Sequence, residues 1–187
     1  MERILLTLSV YLSCCALCAV AICPTIVTRK EWDARSPEII EYVPFPLDMA
    51  IIQHTVTSNC KSSATCKNMV QSIQNYHIDI ANLGDIGYNF LIGGDGKVYE
   101  GRGWHKQGAH LVGYNKKSVG IAFIGDFRRV LPTEKALKAA KDLLACGVEL
   151  GELTPDYALY GAKQLSATES PGAELFNRIR NWDNFSE

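Results

Sequence analysis

The stretch Asp85–Trp104, DIGYNFLIGGDGKVYEGRGW, carries the topology of this 187-residue chain. Two short runs, Tyr88–Gly93 and Lys97–Glu100, flank the turn Gly94-Asp95-Gly96. Glycine tolerates the positive φ that tight hairpin turns demand, so the spacing predicts two antiparallel strands. Outward from the hairpin, strands and helices alternate. Met49–His54 and Ser118–Ile124 (SVGIAFI) are short apolar runs and read as buried strands, with Tyr157–Tyr160 a shorter one. Cys66–Ile80 reads as a helix with Met69, Ile73, Tyr76, His77 and Ile80 on one face. Thr133–Val148 reads as a second helix, N-capped by Thr133 and ending near Gly147 or Gly151. Its core stripe is Ala136, Leu137, Ala140, Leu143 and Leu144. Pro171–Trp182 is a third helix, burying Leu175, Phe176, Ile179 and Trp182. The order β-α-β-β-β-α-β-α predicts an α/β fold: a central mixed β-sheet flanked by helices, mixed because of the hairpin. Ligand sites in such sheets gather beyond strand ends. His54 stands at one.

The chain is long enough for one domain with a substantial core and too short for two ordinary ones. Its net charge of −1 includes no basic block, so there is no electrostatic case for nucleic acid or an anionic membrane. Residues 1–22 differ from the rest: one arginine, then a long uncharged run ending in the small-x-small triplet Ala19-Val20-Ala21. They read as a secretory signal peptide, with an uncleaved membrane anchor as the rival, and residues 23–187 as the mature domain. Of seven cysteines, Cys14, Cys15 and Cys18 would leave with the signal. Cys23, Cys60, Cys66 and Cys146 remain, an even number suited to an oxidising compartment. Cys60 and Cys66 enclose the short polar loop KSSAT and are expected to pair, leaving Cys23 with Cys146. Zinc binding is the alternative, but no C-x-x-C spacing occurs. Asn184-Phe185-Ser186 is a glycosylation sequon.

His54, His77, His105 and His110 are the histidines, and no H-x-x-x-H or H-E-x-x-H spacing supports a zinc site. His77 falls on the inward helix face and reads as a satisfied core residue. Ser170 precedes Pro171 and Gly172, so it reads as an N-cap; a nucleophile is the sharper reading and requires a base within reach. The segment Tyr88–Tyr114 is dense in Tyr, Trp, Arg, His, Asn and Gly, which suits sugars and short peptides as well as it suits ordinary core aromatics.

Several segments together resemble one family: IVTRKEWDAR (Ile26–Arg35), IIQHTVTSNC, the hairpin stretch, GAHLVGYN (Gly108–Asn115), VGIAFIGDF (Val119–Phe127) and YGAKQLSATESPG (Tyr160–Gly172). They are similar to peptidoglycan recognition proteins, whose fold is that of phage-lysozyme-type N-acetylmuramoyl-L-alanine amidases. CPTI and AKDLLACGVELGEL look most like short, secreted, SA-type insect members. In the family's zinc amidases two histidines and a cysteine hold the metal. The resemblance places His54 at the first histidine, Ala162 at the second and Ser170 at the cysteine. It therefore implies that zinc is not expected and that amidase activity is lost.

The resemblance also implies a groove for bacterial muropeptides lined by His54, Thr55, Tyr88, Arg102, Trp104, His110, Tyr114, Asn115, Thr168 and Ser170. Arg102 stands where binders of diaminopimelate stems carry arginine; a guanidinium can grip the extra carboxylate with two bonds. The implied role is a secreted receptor, extracellular in haemolymph, acting upstream of serine proteases or Toll-type signalling. A glucan-binding-like protein is the implied partner. A Ser170-dependent L,D-carboxypeptidase or a residual peptidoglycan hydrolase is the enzymatic alternative.

Overall fold

The computed structural model describes residues 23–187; the expected signal peptide and its three cysteines lie outside the described residues. In chain order the elements are β1 (Ile26–Val27), β2 (Leu47–His54), α1 (Ser63–Asp79), β3 (Phe90–Ile92), β4 (Val98–Glu100), β5 (Val119–Phe123), α2 (Glu134–Glu149), β6 (Leu153–Gly161) and α3 (Ala173–Ile179). The strands form one six-stranded sheet in the order β1-β4-β3-β5-β2-β6. The β3–β4 hairpin is antiparallel and every other strand pair of the sheet is parallel. The expected mixed α/β sheet is present, with the short edge strand β1 added. Two residues carry too little periodicity to be recognised in sequence.

β5 is buried along its whole length, as expected of a central strand covered on both faces. On one face Ala50, Ile52, Phe90, Ile92, Val119, Ile121 and Phe123 meet Leu137, Ala140, Leu143 and Leu144 of α2, and Leu175 and Ile179 of α3. On the other face Leu91, Tyr99 and Ile124 meet Cys66, Val70 and Ile73 of α1, and Trp32. The two disulfides form as the spacing suggested, Cys60–Cys66 and Cys23–Cys146.

Thr133 caps α2 as expected, its side chain accepting from the Ala136 N–H. Two expectations about the other helices fail. The buried stripe of α1 is Cys66, Val70, Ile73, Gln74 and Ile78, while Tyr76 and Ile80 are exposed. The disulfide draws Cys66 inward, which rotates the helix by one position. α1 also begins earlier, because Ser62 and Thr65 form a reciprocal cap. Ser170 does not cap α3: Gly172, at φ +91°, holds that position.

Candidate functional site

The site is built where β2, β5 and β6 end. β2 and β6 run parallel with Ile51 opposite Tyr160 and Ile52 opposite Gly161. One step further, Gln53 comes beside Ala162, where the chain enters a 3-10 turn (Ala162–Gln164). Side chains alternate along strands, and Ile52 lies in the core under α2 and α3. Gln53 and Ala162 therefore share the α1 face, and His54 returns to the α2/α3 face. A shift of one residue exchanges the two faces. The sequence expectation that His54 stands at the first ligand position is corrected here: Gln53 occupies the position that faces Ala162.

His54 behaves as a core residue. Its side chain is 1% exposed, and its Nδ1 accepts the Phe127 N–H at 3.2 Å, which leaves the ring proton on Nε2. Burial lowers its pKa, with Asp126 opposing at 3.9 Å. Its backbone N–H donates to Ser170 Oγ at 3.1 Å. The next amide, Thr55 N–H, points the other way to the Phe123 carbonyl. Ser170 thus supplies the acceptor that β6 ceased to provide when it turned away. This bond to a backbone amide is the only hydrogen bond of Ser170 Oγ among the described residues, and no imidazole nitrogen or carboxylate is hydrogen-bonded to it as a base would be.

Several other expected groove residues hold local structure. Thr55 Oγ1 meets Thr57 Oγ1 and accepts the Gly125 N–H. Asn115 Oδ1 accepts the N–H groups of His110 and Leu111. Tyr114 carries the Lys117 ammonium 4.6 Å over its ring. Thr168 Oγ1 accepts the Ser170 N–H. Trp104 packs on Phe90 at 4.6 Å and against Gly147 of α2, so it too belongs to the face opposite α1. Arg102 is 8% exposed, and its guanidinium donates to three carbonyls: Ile86 and Leu83 at 2.8 Å and Gln107 at 3.0 Å. It is a clasp between two loops and not an open fork awaiting a carboxylate. Sequence reasoning gives no sign of this, because all three acceptors are backbone atoms.

The α1 face holds the remaining polar groups. His77 Nδ1 accepts the Gly87 N–H at 2.9 Å, the satisfied histidine expected, and its ring meets the edge of Tyr88 at 5.5 Å. Burial pushes the Tyr88 phenol up to about 12. Gln53, 6% exposed, donates through Nε2 to the His110 carbonyl at 3.0 Å. The His110 ring lies against Gly120, where any Cβ would collide with it. Burial takes its pKa down to about 4; the backbone at Ser118 opposes this without meeting hydrogen-bond geometry. Among the described residues neither ring nitrogen of His110 has a hydrogen-bond partner, nor does Gln53 Oε1. Gln53 was missed in the sequence. The signal was the alternation of β2, which a titratable neighbour obscured.

This donor set does not fit zinc. A carboxamide, a methyl group and a neutral hydroxyl stand at Gln53, Ala162 and Ser170, and none approaches the affinity of imidazole or thiolate. Among the described residues no three His, Cys, Asp or Glu side chains are grouped to hold a metal ion.

The N-acetylmuramoyl-L-alanine amidase family matches residues 44–173. A peptidoglycan recognition protein of Trichoplusia ni is 53% identical over 160 residues, spanning 86% of this chain and 88% of that protein. The structure of bumblebee PGRP-SA superposes with a TM-score of 0.86 at 48% identity, covering 88% of this chain and 98% of the other. Peptidoglycan recognition protein-LE, solved in complex with tracheal cytotoxin, a monomeric diaminopimelic acid-type peptidoglycan, gives a TM-score of 0.85 at 41% identity over 87% of this chain and 96% of its own. With its amidase-like mixed sheet and this similarity along nearly the whole described length, the chain belongs to the peptidoglycan recognition protein family.

Proposed function

We propose that this protein is a secreted receptor that binds bacterial peptidoglycan through its stem peptides and does not hydrolyse them. The observation that carries the reading is the trio Gln53, Ala162 and Ser170, which keeps the place of a metal-binding set but lacks its donors. The relative solved with tracheal cytotoxin supports a muropeptide as the ligand class. Tyr88, edge-on to His77, and His110, seated over Gly120, both lie on the α1 face, and Arg102 ties the carbonyls of Leu83, Ile86 and Gln107 together. The apolar leader and the two disulfides support secretion into an oxidising fluid such as haemolymph. Signalling follows as the role of a binder without chemistry, through serine proteases and a glucan-binding-like partner. The carboxypeptidase alternative is disfavoured, because among the described residues Ser170 Oγ is hydrogen-bonded to a backbone amide and to no imidazole or carboxylate that could activate it.

The test is a titration with lysine-type and diaminopimelate-type muropeptides, with zinc measured on the same sample and the products analysed. Saturable binding, little zinc and intact ligand are expected. Stoichiometric zinc together with release of stem peptide would overturn the reading. Release of a terminal residue that Ser170→Ala abolishes would establish the carboxypeptidase instead.

A further inference from the structure

The segment Arg128–Leu131, between β5 and α2, is exposed at all four residues, with Val130 at 51% and Leu131 at 47%. Among the described residues no backbone N–H or carbonyl of Arg129, Val130 or Leu131 is hydrogen-bonded. Arg129 and Val130 border an open cleft of about 690 Å³, so no packed layer holds them on that side. The two arginines differ. Arg128 is tied to Asp126 and Glu169, whereas Arg129 has no ion-pair partner among the described residues. Trypsin-like serine endopeptidases take a basic side chain into a pocket closed by a carboxylate and hold the chain around it extended. A loop reaches that state most readily when no hydrogen bond must break first. Other exposed basic residues lack this freedom. Those of α1, α2 and α3 lie in hydrogen-bonded helices. The Lys117 N–H, which follows Lys116, donates to Tyr114, and Lys61 sits in the ring closed by Cys60–Cys66.

We propose that Arg129–Val130 is a proteolytic processing site for a trypsin-like serine endopeptidase. Water adds across that one peptide bond, leaving a carboxylate on Arg129 and an ammonium group on Val130. The cut separates β1–β5 and α1 from α2, β6 and α3. Two links cross it: β6 pairs with β2 in the sheet, and Cys23 is bonded to Cys146. The product is one folded molecule of two chains joined by a disulfide. This holds whether or not the protein binds peptidoglycan.

The mature protein is treated with a low dose of trypsin under native conditions and sampled over time. On a denaturing gel the product should stay one band without reductant. With reductant it should give two fragments, one ending at Arg129 and one beginning at Val130, identified by mass spectrometry. Arg129→Gln should slow that cut about a hundredfold or more, and Arg129→Lys should keep it. Neither should move the melting temperature, since the side chain has no partner to lose. A first cut elsewhere, or an Arg129→Gln protein nicked in this loop at the parent rate, overturns the inference. So does separation of the fragments without reductant. Rapid digestion of the nicked product to small peptides also overturns it, because the loop would then be an entry to degradation. Muropeptide binding is measured apart from all of these, so its failure is told from theirs.

Discussion

Replacing Arg102 by threonine decides whether that guanidinium is structural. Arg102 donates to the carbonyls of Ile86, Leu83 and Gln107, and Ile86 is fully buried. Hydrogen bonds involving a charged group contribute about 1.5–3 kcal/mol each, and a buried carbonyl left alone costs about 1–3 kcal/mol. The sum of three overstates the loss. Water can reach the half-buried Leu83 and Gln107 segments, and removing a desolvated charge returns part of the cost. A net loss of about 3 kcal/mol remains, centred on the Ile86 carbonyl. For a domain of this length each kcal/mol moves the midpoint by about 2–4 °C, so Arg102→Thr should melt about 6–12 °C below the parent. Arg102→Lys should fall between them, since one ammonium cannot span three acceptors set for a planar fork. Differential scanning calorimetry at neutral pH reads both. A threonine variant melting within about 1 °C of the parent would refute the clasp and return Arg102 to the expected role of gripping a stem carboxylate.

Two further outcomes follow from the same geometry. Introducing Ala162→His and Ser170→Cys together should not create a zinc site, whereas adding Gln53→His should; zinc uptake by the double variant alone, with His54 as third ligand, would refute the register argument. Burial holds the pKa values of His54, His77 and His110 below their ordinary value near 6.5, that of His110 at about 4. The unfolded chain therefore binds more protons as the pH falls, so stability present above about 6.5 is lost towards pH 4, with His110 alone accounting for about 3 kcal/mol. Urea denaturation across that range should show the decline, and His110→Gln should flatten it; a variant with the parent slope would show that the His110 ring is not buried in its neutral form.

Much of the fold was open to reading along the chain. The hairpin around Gly94-Asp95-Gly96, the continuous apolar run of β5 and the Thr133 cap are local signals, each set by neighbours a few residues away. Even the cysteine pairing followed from counting and loop length. The rotation of α1 was not legible, because the Cys60–Cys66 bond and Trp32 choose which of two plausible stripes turns inward.

The site divides in the same way. Its donor chemistry, with alanine and serine where metal ligands are expected, is a property of residue types and needs no coordinates. Which side chains face one another is a property of register. His54 drew attention as a titratable group at a strand end, yet period-two alternation turns it to the α2/α3 core and gives its neighbour Gln53 the groove. Arg102 appeared free because its partners are carbonyls, which every residue carries and no sequence distinguishes. Residue identity along the chain thus settled what chemistry was possible. Only the packing of β2 against β6, more than a hundred residues apart, decided which atoms were left to perform it.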